Sequence, residues 1–328
     1  MVVSNVRFNL VQPGLATEEL AERYRAAVEM AAAADGSGVD TITLEEHHGA
    51  DDGWLPSPLA LAGLMLGRTR RIGVTVCALI TPLYDPLRLA EDLAVLDLAG
   101  GGRLMAVAGI GYRPQEYAAH GRDWHARGKL QDESLETLLA AWSGEPFEHR
   151  ERTVRVTPPP ATRPHPLLLV GGASKAAARR AARLGLPFFP SAHLPELEEY
   201  YHAMRAEYGT EGWCLLPPAT TALLHITEDP DRAWAEYGKH LLHEAAVYAG
   251  WQTPETRSAV KSAAATAEEL RAEGVYRMLT PDECVAFAEE QGPGAALVLH
   301  PLCGGMPVDE GWRSLHLFTE RVLPRLKD

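Results

Sequence analysis

The chain has 328 residues, 46% hydrophobic and 23% charged. That is ordinary globular usage, which excludes a disordered or fibrous chain and supplies a full core. Its 31 basic and 44 acidic residues give a net charge of −13 with no basic run, so nucleic acid is not an expected partner. No stretch approaches the roughly 18 apolar residues of a membrane span, and residues 1–8 lack a basic leader with an apolar core, so a soluble, cytoplasmic protein is expected.

Taken in chain order, short apolar runs alternate with longer stretches of helical period, the pattern of βα units on a parallel sheet. The first strand is expected at residues 6–10 and the first helix at 17–34, with Thr17 as N-cap and Leu20, Tyr24, Val28 and Ala31 facing inward. Strands two to four are expected at 39–44, 71–78 and 104–108. Their helices follow at 56–66, 86–99 and 127–142. Strands five to seven are expected at 167–170, 186–191 and 219–227, with helices at 174–184, 195–208 and 230–249. An eighth strand at 295–300 and a closing helix at 310–323 complete eight strands and eight helices. This length is common for α/β barrels, so the expected fold is a single (β/α)8 TIM barrel with insertions over residues 1–328.

Two stretches exceed the minimal barrel. Residues 145–166 carry an expected hairpin and a proline-rich run, and residues 251–278 are long, weakly patterned and a candidate lid. The four cysteines, Cys77, Cys214, Cys284 and Cys303, include no C-x-x-C spacing. Buried, reduced thiols are expected rather than a disulfide framework or a zinc knuckle.

Barrel active sites collect at the C-terminal ends of the strands. After strand two stands Glu45-Glu46-His47-His48. Alternation places Glu46 and His48 on one side and Glu45 and His47 on the other. Each histidine is read either as a general acid/base or as a structural hydrogen-bonding group. No metal is expected, because neighbouring histidines poorly share one ion and no second ligand cluster assists. After strand three, Cys77 and Ala78 are small where bulk is usual, which suits either a flat ligand or a small-residue packing layer. After strand four, Gly109 and Gly111 precede Tyr112, with neither the third glycine nor the acid of a dinucleotide fingerprint. After strand five, Gly171-Gly172-Ala173-Ser174 opens onto a helix, either as an anion-binding turn or as a plain glycine loop capped by Ser174.

Together these positions resemble the bacterial luciferase-like family of flavin-dependent monooxygenases and oxidoreductases. The resemblance rests on Glu46-His47-His48, on Asp85-Pro86 with Arg88, Glu91 and Asp92, on Gly101-Gly102-Arg103 and on Gly109-Ile110-Gly111-Tyr112. The Gly171–Ser174 turn and Ser314 to Pro324 follow in the same order. It implies His47 as the acid/base group and Cys77 and Ala78 as a bulge, often with a non-proline cis peptide, against the flavin ring. It implies Gly109, Gly171, Gly172, Ala173 and Ser174 as cofactor-binding, Ser191 as a position near the flavin, and Tyr112 as the expected substrate residue. Gly100 departs from the family's serine, and Ala108 and Gly109 replace luciferase's reactive cysteine and phosphate-assisting arginine. Light emission and luciferase-type tight flavin binding are therefore not expected.

The expected function is a monooxygenase using reduced FMN and oxygen on a small organic substrate, supplied by a separate flavin reductase. Alternatives are a deazaflavin-dependent hydride-transfer enzyme of the same superfamily and a non-catalytic flavin-binding protein. A homodimer is expected by analogy, through the helices around strands two and three.

Overall fold

The computed structural model describes residues 2–14, 16–253, 256–292 and 294–327. In chain order the elements are β1 (Val3–Phe8), α1 (Thr17–Gly36), β2 (Thr41–Leu44), α2 (Pro58–Arg68), β3 (Gly73–Ile80), α3 (Pro86–Gly100), β4 (Leu104–Gly109), α4 (Pro114–Ala119) and α5 (Arg127–Trp142). Next come β5 (Phe147–His149), β6 (Arg152–Val154), β7 (Leu167–Gly172), α6 (Lys175–Leu184), β8 (Phe188–Pro190) and α7 (Pro195–Tyr208). The last are β9 (Leu223–Ile226), α8 (Pro230–Trp251), α9 (Ala267–Glu273), β10 (Tyr276–Leu279), α10 (Pro281–Gln291), β11 (Ala296–Leu299), α11 (Val308–Leu317) and α12 (Leu323–Lys327). Among the described residues, no helix is long and apolar enough to cross a membrane.

The chain divides into two units. The first comprises residues 1–56, 68–73 and 218–328. Its five strands run parallel in the order β10-β9-β11-β1-β2. Leu223, Trp234, Leu241, Leu270, Tyr276, Met278 and Met306 form a buried cluster beneath α8. Helix α8 starts where Pro230 supplies a preset φ and the Asp229 carboxylate accepts the Arg232 N–H at 3.1 Å.

The second unit comprises residues 57–67 and 74–217. Its parallel strands run β3-β4-β7-β8, and β5 and β6 pair antiparallel. Asp85 caps α3 by accepting the Leu87 and Arg88 N–H groups. Further along α3, the buried Asp97 carboxylate accepts the Ala161 and Thr162 N–H groups at 2.7 and 2.8 Å and the Thr162 hydroxyl at 2.6 Å. That side chain moors the proline-rich run. Asp97→Ala is expected to lower stability by about 1–3 kcal/mol, read as a fall in urea midpoint with unchanged slope.

Several expectations need correction. Thr17 is the first helical residue and not the cap: Ala16 holds that place with no side-chain bond, its carbonyl accepting the Leu20 N–H. The buried face of α1 is Arg23, Ala26, Ala27, Met30, Ala31 and Ala34, leaving Leu20, Tyr24 and Val28 only half-buried. Arg23 turns inward because its guanidinium donates to the Leu302 and Met306 carbonyls at 3.0 and 2.7 Å. Burial lowers its pKa to about 10.

The weakly patterned stretch 251–278 contains α9 and most of a ninth parallel strand, β10, and α10 follows it. Helices α4 and α10 were not expected. The closing helix is broken by a π turn at Phe318–Val322. Pro324 follows that turn and has no N–H to give to a regular α ladder.

Candidate active site

In the first unit, His47 follows β2 and is 5% exposed. Its backbone N–H donates to the Leu55 carbonyl at 3.1 Å, and the Leu55 N–H donates to the Asn9 carbonyl at 2.8 Å. The imidazole lies among three aromatic rings. Centroid distances are 4.7 Å to Trp251, 5.4 Å to Trp54 and 6.1 Å to Tyr248. Trp54 is buried, whereas Tyr248 and Trp251 are half-buried. His48 pairs with Glu46 across 2.9 Å, so the alternation read from the sequence holds for that couple.

Beside them lies a buried ionic network. The Glu244 carboxylate receives Arg7 Nη1 at 3.1 Å, Asn9 Nδ2 at 2.8 Å and the Gly304 N–H at 3.2 Å, and it pairs with His300 Nε2 at 2.9 Å. Arg7 Nε also donates to Glu45 at 2.6 Å. Burial alone would raise the pKa of Glu244. The charges of His300 and Arg7, with hydrogen bonds from His300 and Asn9, instead hold it well below the usual carboxylate range.

Neither the aromatic wall nor this network was anticipated. One signal was available: Arg7 and Asn9 alternate with Val6, Phe8 and Leu10 along the first strand, so two polar side chains share one face of an apolar run. Glu244 carries no comparable sign, because a lone acid in an amphipathic helix is usually solvated.

In the second unit the remaining candidates gather at the C-terminal ends of adjacent strands. The Cys77–Ala78 peptide is cis, and the β3/β4 register shifts between Cys77 and Leu79. Gly109 packs so closely that a Cβ there would lie 2.7 Å from the Ala78 Cβ. A Cβ on Gly171 would lie 2.7 Å from Val107 Cγ1. These two glycines therefore serve close strand packing. Gly172 adopts φ +147°, and Ala173 and Ser174 complete the turn into α6.

Ser174 is the N-cap, its Oγ accepting the Ala177 N–H at 3.3 Å. The preceding first-turn amides, Lys175 and Ala176, have no intrahelical acceptor. No acidic residue stands between 171 and 178, and the Lys175 ammonium lies over the Tyr200 ring, 5.1 Å from its centre. The donor set fits a phosphate group. Ser191 lies in the bend just past β8 rather than inside the strand, and Tyr112 is half-buried beyond β4.

All four cysteines are free. Cys284 and Cys303 are buried, but Cys77, within β3, and Cys214, bridged to Phe188, are only half-buried. Burial pushes the Cys214 and Cys284 thiols up to about 12, so both stay protonated at neutral pH.

Residues 4–288 match the family model described as luciferase-like monooxygenase. An uncharacterized protein, y4vJ, of Sinorhizobium fredii is 30% identical over 175 residues, 51% of this chain and 49% of that one. The alkanal monooxygenase alpha chain of Photorhabdus luminescens is 26% identical over 197 residues, 56% of this chain and 53% of that one. An FMNH2-dependent dimethylsulfone monooxygenase of Pseudomonas putida is 26% identical over 146 residues, 42% and 40% of the two chains. The chain thus spans about half the length of the first curated relatives it matches.

Among solved structures, monooxygenase RslO1 of Streptomyces bottropensis aligns over 99% of both chains with a TM-score of 0.77 and 24% identity. The oxygenating constituent of 3,6-diketocamphane monooxygenase of Pseudomonas putida, in complex with FMN, aligns over 98% of both at 0.68 and 19%. An F420-dependent secondary alcohol dehydrogenase aligns over 99% of both at 0.67 and 17%. These likenesses show the α/β fold of (β/α)8 type that the strand and helix alternation led one to expect. With the match over residues 4–288, this chain belongs to the luciferase-like monooxygenase family of oxidoreductases.

Proposed function

We propose that the protein is a monooxygenase that uses reduced FMN and oxygen on a small organic substrate. The observation that carries the reading is the turn at Gly171, Gly172, Ala173 and Ser174, which opens α6 with two amides lacking an intrahelical acceptor and with no acidic residue between 171 and 178. In a chain of net charge −13, a phosphate must be held by such local dipoles rather than by a basic surface. Cys77, Ala78 and Gly109 would lie against the flavin ring, Ser191 near the flavin, and Tyr112 toward the substrate. His47 would move protons, shielded from water by Trp251 and Tyr248. Reduced flavin, when bound, supplies the electrons for oxygen chemistry. The readings of residues 145–166 as an inserted hairpin and of 251–278 as a lid belong to the same proposal.

A second reading, hydride transfer with a deazaflavin, is favoured by the match to an F420-dependent dehydrogenase. Fluorescence titration with FMN and F420 side by side, followed by oxygen uptake with reduced FMN over a substrate panel, separates the two. Substrate-dependent oxygen uptake is the expected result. Hydride transfer from reduced F420 without oxygen uptake would move the assignment to the second reading, flavin binding with no turnover would mark a non-catalytic binder, and no binding of either cofactor overturns all three.

A separate flavin reductase and a cytoplasmic location belong to the same reading. So does a homodimer, supported by exposed apolar side chains on neighbouring helices: Leu64 on α2, 63% exposed, and Val95 and Leu98 on α3, 51% and 44% exposed. A monomeric mass by light scattering would refute the dimer.

A further inference from the structure

We infer that Glu244 and Arg7 are positioning residues for His47, fixing helix α8 so that Tyr248 and Trp251 close over the imidazole. The inference rests on reading His47 as the acid/base group. Glu244, Tyr248 and Trp251 are spaced by four and three residues, so they share one face of α8. Glu244 is fully buried. Its donors and pairing partners come from four separate segments: Arg7 and Asn9 from the β1 end, Tyr276 from β10, His300 from beyond β11, and Cys303 and Gly304 from the short turn that follows. The register of the helix is therefore keyed at one side chain.

Arg7 divides its guanidinium between Glu244 at 3.1 Å and Glu45 at 2.6 Å. Glu45 stands two residues before His47, so one cation ties the helix and the strand end that carries the imidazole. A second tie runs through Asn9. Its side chain holds Glu244, while its carbonyl accepts the Leu55 N–H, and the Leu55 carbonyl accepts that of His47. A third joins His243 on α8 to Asp52, two residues before Trp54, at 2.9 Å.

Rotating α8 by one residue, about 100°, would carry Tyr248 and Trp251 off the imidazole. An apolar face would anchor a helix at lower desolvation cost than a buried carboxylate. What the ionic anchor adds is direction, since its hydrogen bonds are met at one register only.

The donor atoms of Glu244, His300 and Cys303 all lie within 4.8 Å of one another, a spacing that also suits a metal ion. The carboxylate, however, already receives Arg7 and Asn9. Burial, together with the Glu244 charge and hydrogen bond, raises the Cys303 thiol well above its ordinary pKa, and the thiol donates to Glu244 at 3.2 Å. The cluster is a hydrogen-bonded ion network.

The test is NMR of the full chain labelled with 13Cε1-histidine, without flavin, using His47→Ala to assign the His47 signal. Ring currents from Trp251, Trp54 and Tyr248 displace that signal in the wild type. Glu244→Gln is expected to move it toward an unstacked imidazole while leaving His149 and His165, in the second unit, where they are. An unmoved His47 signal in the folded variant overturns the inference. If Glu244→Gln fails to fold, Arg7→Lys keeps the charge and loses the two-pronged fork. The same displacement is then expected, and its absence is equally fatal. An FMN titration of the wild type runs alongside: failure to bind FMN would sink the cofactor reading, whereas the His47 signal, read without flavin, decides this one.

Discussion

His47→Ala is expected to lower turnover with reduced FMN about 10²–10⁴-fold, the usual contribution of a positioned general acid/base, while FMN affinity stays within a few-fold. The asymmetry follows from the separate tasks proposed for the residues. Affinity is assigned to the Gly171–Ser174 turn and the small residues at the β3 and β4 ends. The proton is assigned to an imidazole that is 5% exposed and walled by Trp54, Tyr248 and Trp251. Water has little access there to replace the missing base. Steady-state turnover and flavin fluorescence quenching, measured on one preparation with a matching thermal melt, read the two quantities. Unchanged turnover would remove His47 from the chemistry, and a parallel collapse of FMN affinity would make it a binding residue.

Arg7→Ala is expected to cost about 3–5 kcal/mol of stability, because removing one partner of a buried ion network leaves the others uncompensated. Here two carboxylates lose their cation, since Arg7 bonds both Glu45 and Glu244. Held far below its ordinary range, the Glu244 carboxylate contributes stability fully above the unfolded carboxylate pKa and loses it as the pH falls toward the depressed folded value. The loss in Arg7→Ala should therefore be complete at neutral pH and shrink in acid. Urea unfolding at both pH values measures it. A neutral-pH loss below about 1 kcal/mol would place the pair in the class of exposed salt bridges and contradict its burial.

Much of the fold was legible in the sequence, because its signals are local. Helices α5 and α7 run over the expected 127–142 and 195–208, since the apolar period of both, and the Pro195 start and Gly209 stop of α7, act within a few residues of each end. Helix α10 carries an equally local signal. Thr280-Pro281-Asp282-Glu283 spells out a capping box, and the structure forms it, with the Thr280 hydroxyl and the Glu283 carboxylate each bonding the other's backbone. Strand β10, four residues long, offers too short an apolar run to separate from a helix end by period alone. Its identity comes from pairing with β9.

The candidate site divides in the same way. Glu46-His47-His48, Cys77-Ala78 and the Gly171–Ser174 turn were legible as candidates because each is a run of contiguous residues. What His47 touches was not recognisable. Trp54 lies 7 residues downstream and Trp251 another 197 beyond it, brought to one ring cluster by the docking of α8. Arg23 is the sharpest case: helical period placed Leu20, Tyr24 and Val28 inward, yet the structure buries a cation, because two carbonyls 279 and 283 residues away needed donors. By itself the sequence determined the βα alternation, the glycine turn that suits a phosphate and the histidine at a strand end, all set by chain-local propensity and spacing. Only the tertiary structure decided which polar groups are buried together and which rings enclose the imidazole, because desolvation and hydrogen-bond demand are settled between segments that the chain order keeps far apart.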